Sequence, residues 1–69
     1  MYHVNVSRLN GRIVEAGMTK ESLADKIGLA RSTFFRRLKS NSLRICDVHG
    51  ICEALNLSAA EACDIFLSQ

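Results

Sequence analysis

Gly28 divides two short apolar stripes in the segment Leu23–Leu38, LADKIGLARSTFFRRL, and that break constrains the chain more than any other feature. Leu23, Ala24 and Ile27 lie on one face of a helix, Leu29 follows the glycine, and Phe34 and Leu38 begin a second stripe. Two helices sharing a core across so short a connection must meet at a fixed angle. Gly28 suits the left-handed position after the first helix, where a Cβ would be strained. The pattern needs a small residue, a glycine and four apolar positions in fixed order, which makes it fairly specific.

The chain is short. Its 69 residues allow one domain, 1–69, with no room for an enzyme cleft flanked by a second lobe. A chain of this size buries only roughly 60% of its unfolded surface, so it needs efficient helix packing or a partner copy. At 48% hydrophobic and 23% charged residues, the composition is that of a globular protein. No apolar run approaches the roughly 18 residues of a membrane span, and no signal-peptide core precedes the fold, so a cytoplasmic location is expected.

Charge is unevenly placed. Residues 1–44 hold all nine Lys and Arg against Glu15, Glu21 and Asp25, a net +6; residues 45–69 hold Asp47, Glu53, Glu61 and Asp64 with no Lys or Arg, a net −4. Five positive charges and no acid fall between Arg31 and Arg44. A basic half beside an acidic half points to a polyanion-binding face with a different surface behind it.

Cys46, Cys52 and Cys63 are an odd set, so no disulfide framework is expected in a reducing compartment. Cys46, His49 and Cys52 step by three along one helix, but the closely spaced cysteine pair of structural zinc sites is missing. No metal or cofactor is expected. The thiols read as buried or half-buried and His49 as a surface residue.

With no proline, linker or repeat, the chain resolves into five helices. Met1 to Asn5 alternates apolar and polar residues and reads as a short extended arm. Asn10-Gly11 is a hairpin signal, yet Val6, Leu9, Ile13 and Ala16 follow a buried helical stripe, and the spacing predicts a helix from Asn5 to Ala16 ended by Gly17. Gly11 costs such a helix about 1 kcal/mol, which packing can outweigh. Thr19 caps a helix over Lys20–Ile27, with Glu21 in its first turn. The third runs over Arg31–Lys39, and Ser40-Asn41-Ser42 is a polar loop. Ile45, Val48, Ile51, Cys52 and Leu55 line a fourth, ended by Asn56. Ser58-Ala-Ala-Glu61 is a capping box opening a fifth, with Ala62, Ile65 and Phe66 as apolar contacts.

The second and third helices form a helix-turn-helix, in which the later helix is offered to the major groove. The whole resembles the lambda-repressor and Cro-like family of phage and bacterial regulators over about Val6 to Leu67. Leu23, Ala24, Ile27, Gly28, Leu29 and Phe34 stand at the family's apolar, small and glycine positions. Leu55-Asn-Leu-Ser58 followed by Ile65-Phe66 looks like its last two helices. "TFFRRLKSNS" is most similar to small phage-type Cro-like regulators. The resemblance implies an all-α, compact five-helix DNA-binding domain, acting at the nucleoid of a bacterial host. The family usually has an apolar residue where this chain has Arg37, and Leu38 is expected to take over its packing.

At about 100° per residue, with Phe34 at the centre of the buried face, Ala30 and Leu38 turn inward. Ser32 and Arg36 point nearly opposite, with Lys39 and Phe35 on one flank and Thr33 on the other. Arg31, at the helix start, can reach a base edge or a phosphate. The resemblance adds that the helix start and the residue about five later touch bases. Arg31, Ser32 and Arg36, supported by Thr33, are the expected readers; arginine can pair bidentately with guanine. Phe35 either presses a thymine methyl or packs against a neighbouring helix. Lys20 resembles the family's phosphate-gripping residue, and Arg37, Lys39, Asn41, Ser42 and Arg44 are further phosphate candidates.

One such domain covers few base pairs, so a homodimer on a palindromic operator is expected. Phe66 and Leu67 either supply its contact or simply close the core. These residues make a sequence-specific regulator of double-stranded DNA, Cro- or repressor-like and of phage or prophage origin, the leading expectation. The alternative is a protein-binding modulator or antirepressor that grips a repressor with the same fold. With no nucleophile–base spacing, carboxylate pair or phosphate-cradling glycine loop, neither an enzyme nor a small-molecule substrate is expected.

Overall fold

Among the described residues, Gly17, Gly28, Asn41 and Asn56 are in left-handed backbone, and each ends a helix. The computed structural model describes residues 2–68 and contains five helices: α1 (Val6–Glu15), α2 (Lys20–Lys26), α3 (Arg31–Lys39), α4 (Ile45–Leu55) and α5 (Ala59–Phe66). After α1 to α4 the two amides that follow fold back on the last turn. At Gly28 this is Gly28 N–H to the Asp25 carbonyl (3.2 Å) and Leu29 N–H to Ala24 (2.9 Å). The residue after the left-handed one is Met18, Leu29 or Leu57 in three cases, and each packs against the core. Starts are equally local. Thr19 and Ser22 exchange side-chain-to-backbone bonds (2.9 and 3.0 Å), as do Ser58 and Glu61 (3.2 Å each).

The core takes two residues from each helix: Leu9 and Ile13, Leu23 and Ala24, Phe34 and Leu38, Ile51 and Leu55, Ile65 and Phe66. The second helix is central, packing on α1, α3 and α4, while α5 closes on α1. Gly50 lets α4 approach the helix-turn-helix corner, because a Cβ there would lie 3.2 Å from the Ile27 side chain.

Several expectations are corrected. Helix α1 is shorter than predicted at both ends. Asn5 is its N-cap, accepting from Arg8 N–H (3.1 Å), and Ala16 caps its C-terminus in solvent rather than extending the buried stripe. Ile27 lies just beyond α2 as its C-cap. Ala30 is exposed, because it is the extended N-cap of α3 and a helical angle does not apply to it. Ile45 is 89% exposed, and the buried position in that first turn belongs to Asp47. Of the thiols, Cys52 is half-buried but Cys46 and Cys63 are exposed. His49 lies on the surface and pairs with Glu53 (2.6 Å).

The expected arm is docked. His3 and Ser68 exchange backbone bonds (2.7 and 3.1 Å), and Asn5 N–H reaches the Ile65 carbonyl (2.6 Å). Met1, counted in that arm, lies outside the described residues. Among the described residues no helix is long and apolar enough to cross a membrane.

Candidate nucleic-acid interface

Burial of Phe34 and Leu38 on one side of α3 fixes which of its residues face out. Arg31, Ser32 and Arg36 are exposed, so three of the four expected readers lie on the outer surface of the helix, while Thr33 is half-buried. Arg31 lies 3.8 Å from Asp25 across the turn, a solvent-exposed pair of little energetic weight that leaves its guanidinium free to swing outward. Arg36 holds the end of α3 through its carbonyl, which accepts from Ser40 N–H (2.9 Å) and Oγ (2.7 Å), while its side chain stays in solvent.

Lys20, half-buried at the start of α2, and Lys39, exposed at the end of α3, share a groove with Phe35 on the flank of this face, and Arg44 is exposed just before α4. Among the described residues, none of these three, nor Arg36, has a carboxylate within 4.0 Å. Cations without a close carboxylate leave a positive field in front of the segments that carry them, the kind that attracts a polyanion. Ser42 is exposed in the same loop, its Oγ 2.7 Å from that of Ser40.

Two of the expected phosphate contacts are engaged by other parts of the chain. The Arg37 side chain is 17% exposed, and its Nη1 donates to Asp47 Oδ2 at 2.8 Å. Asp47 is 5% exposed and also accepts from Arg44 N–H at 3.0 Å. Burial alone would raise the Asp47 carboxyl, but the Arg44 amide and the Arg37 guanidinium outweigh it and hold the group below the usual aspartate value. The pair ties α3 to α4, and Leu38 takes the apolar packing. Asn41 is the second case. Its Nδ2 donates to the Tyr2 carbonyl and its Oδ1 accepts from Val4 N–H, both at 3.0 Å, so it brackets the arm against the end of α3.

Asp47 was missed by sequence reasoning. The hint in the sequence is Arg37 at a position expected to be packed, where a charge calls for a partner; nothing in the sequence says that the partner is Asp47. Nothing in the sequence foretold the Asn41 bracket, which joins residues 37 and 39 apart.

A family model, the Cro/C1-type HTH DNA-binding domain, matches residues 8–66, from the first turn of α1 to the last residue of α5. The chain belongs to that family. Comparison with curated proteins and with solved structures returned no match. As a Cro/C1-type domain it is a DNA-binding module, and α2 and α3 are its helix-turn-helix.

Proposed function

We propose that this Cro/C1-type domain is a sequence-specific transcriptional regulator of phage or prophage origin, working in the bacterial cytoplasm as a two-fold dimer on a palindromic operator. The observation that carries the reading is the outer face of α3: Arg31, Ser32 and Arg36 are exposed together, Lys20 and Lys39 share a groove with Phe35 on its flank, and among the described residues neither lysine has a carboxylate within 4.0 Å. Arg31 and Arg36 read base edges, helped by Ser32 and Thr33. Lys20, Lys39, Ser42 and Arg44 hold phosphates; Arg37 and Asn41 serve the fold instead.

Selection of bound sequences from a random duplex pool tests this directly. A palindrome with half-sites about one helical turn apart is the expected result. Failure of micromolar protein to bind any duplex in a salt-sensitive way would overturn it. On the selected site, Arg36→Ala should relax preference at one base position by about 1–3 kcal/mol, while Lys20→Ala should weaken all sequences alike. Uniform loss in both variants would misplace the reading face.

The dimer contact is best supplied by the second half of the chain. Phe66 is buried and closes the core, but Leu67 is exposed and shares an apolar groove between α4 and α5 with Ile45, Val48, Ala62 and Cys63. Ile45→Lys should change monomer stability by no more than about 0.5 kcal/mol, since the residue is in solvent. Sedimentation and operator titration should show the dimer weakened and operator affinity reduced. An unchanged dimer would move the contact elsewhere.

A further inference from the structure

Phe35 is a large aromatic left 38% exposed on the flank of the recognition helix, and neither the core nor the reading face explains it. Its ring leans on that of Phe34, centroids 6.2 Å apart and planes tilted by 46°, so it is held rather than loose. It lines an open groove with Val6, Leu38, Lys20 and Lys39. Val6 and Leu38 continue the apolar floor, the two lysines stand at its rim, and no carboxylate lines it. Neither lysine is ion-paired among the described residues.

A groove with a carbon floor and a cationic rim fits a ligand that is apolar in the middle and anionic at both ends. The deoxyribose of a nucleic-acid strand, with its C–H face between two phosphates, has that form. The groove also lies beside the face that carries Arg36, where a duplex entered by α3 brings its backbone past the protein.

We propose that Phe35, with Val6 and Leu38 beneath it, seats the sugar–phosphate backbone of the bound duplex, covering one deoxyribose while Lys20 and Lys39 neutralise the flanking phosphates. This rests on the DNA-binding reading above and gives Phe35 a backbone role instead of a base-reading one. An apolar contact and a charge contact leave different marks on salt dependence. Counterion release makes each phosphate contact steepen the plot of log affinity against log salt, whereas burial of carbon surface does not.

The test titrates the full chain with its selected duplex across a range of salt. Phe35→Ser is expected to bind about tenfold more weakly at every salt with an unchanged slope and an unchanged selected motif. Lys20→Gln and Lys39→Gln are expected to flatten the slope by about 0.9 for each phosphate left without its lysine. Melting by circular dichroism checks the fold; if Phe35→Ser does not fold, Phe35→Leu, which keeps an apolar surface, should lose about twofold to threefold, again with no change in slope. Wild-type affinity in both Phe35 variants would overturn the seat, as would a motif altered at a single base, which would mean contact with a thymine methyl. Absence of salt-sensitive DNA binding by the wild type would instead remove the underlying reading, so the two failures are distinguishable.

Discussion

Asp47→Ala is expected to lose about 3–5 kcal/mol of folding stability, because it leaves the Arg37 guanidinium largely buried without its carboxylate. A core of this size rarely supplies more than about 3–5 kcal/mol in all, so the variant should be largely unfolded at room temperature. Far-UV circular dichroism during thermal or urea denaturation reads the loss. Restoring an apolar residue at the partner position should recover much of it. Arg37→Leu with Asp47→Ala removes both charges together, and a buried pair replaced by carbon is often neutral or stabilising. The double variant still lacks the carboxylate that caps Arg44 N–H, so it should stay about 0.5–2 kcal/mol below wild type. Equal damage in the single and double variants would refute the pairing.

The same carboxylate makes stability pH-dependent in a defined sense. Its folded pKa is lowered, so its contribution is complete above the ordinary aspartate value and is lost as pH falls through the lowered one. The loss therefore falls below about pH 4. Glu61, held low by the Ser58 amide and by Arg12, pulls in the same direction. The Asp47 share is the part of the acid sensitivity that disappears in the Arg37→Leu, Asp47→Ala variant.

Duplex affinity is expected to fall about 10³-fold between about 50 and 200 mM monovalent salt, if each half of a dimer neutralises about three phosphates. Lys20, Lys39 and Arg44 supply that number. Fluorescence anisotropy of a labelled operator measures the slope. Removing one of these cations alters both halves of a symmetric dimer, so each substitution should flatten the slope by about 1.8, against about 0.9 for a monomer. A slope near zero would mean that the cations do not face phosphates, and that the basic half serves an acidic protein surface.

What was legible in the sequence follows a physical rule. Helix ends depend on residues within one turn, so Thr19, Gly28, Asn56 and the Ser58–Glu61 box could be read directly. Buried faces of α2 and α3 depend on spacing along one helix, so Leu23, Ala24, Phe34 and Leu38 could be read as well. Spacing failed at Ile45 and Ala30, which sit at or beside an N-cap where the helical period has not begun or has only just begun.

The sequence alone was enough to determine five helices, the stops at Gly17, Gly28 and Asn56, the helix-turn-helix and the outward placement of Arg31, Ser32 and Arg36. Tertiary structure alone decided that Arg37 turns in toward Asp47, that Asn41 brackets the arm, and that Phe35 shares a groove with Lys20 and Lys39. Those three depend on which distant segments are brought together. A hydrogen bond or charge pair between residues 10 to 39 positions apart has no period to announce it, and it exists only after the helices have packed.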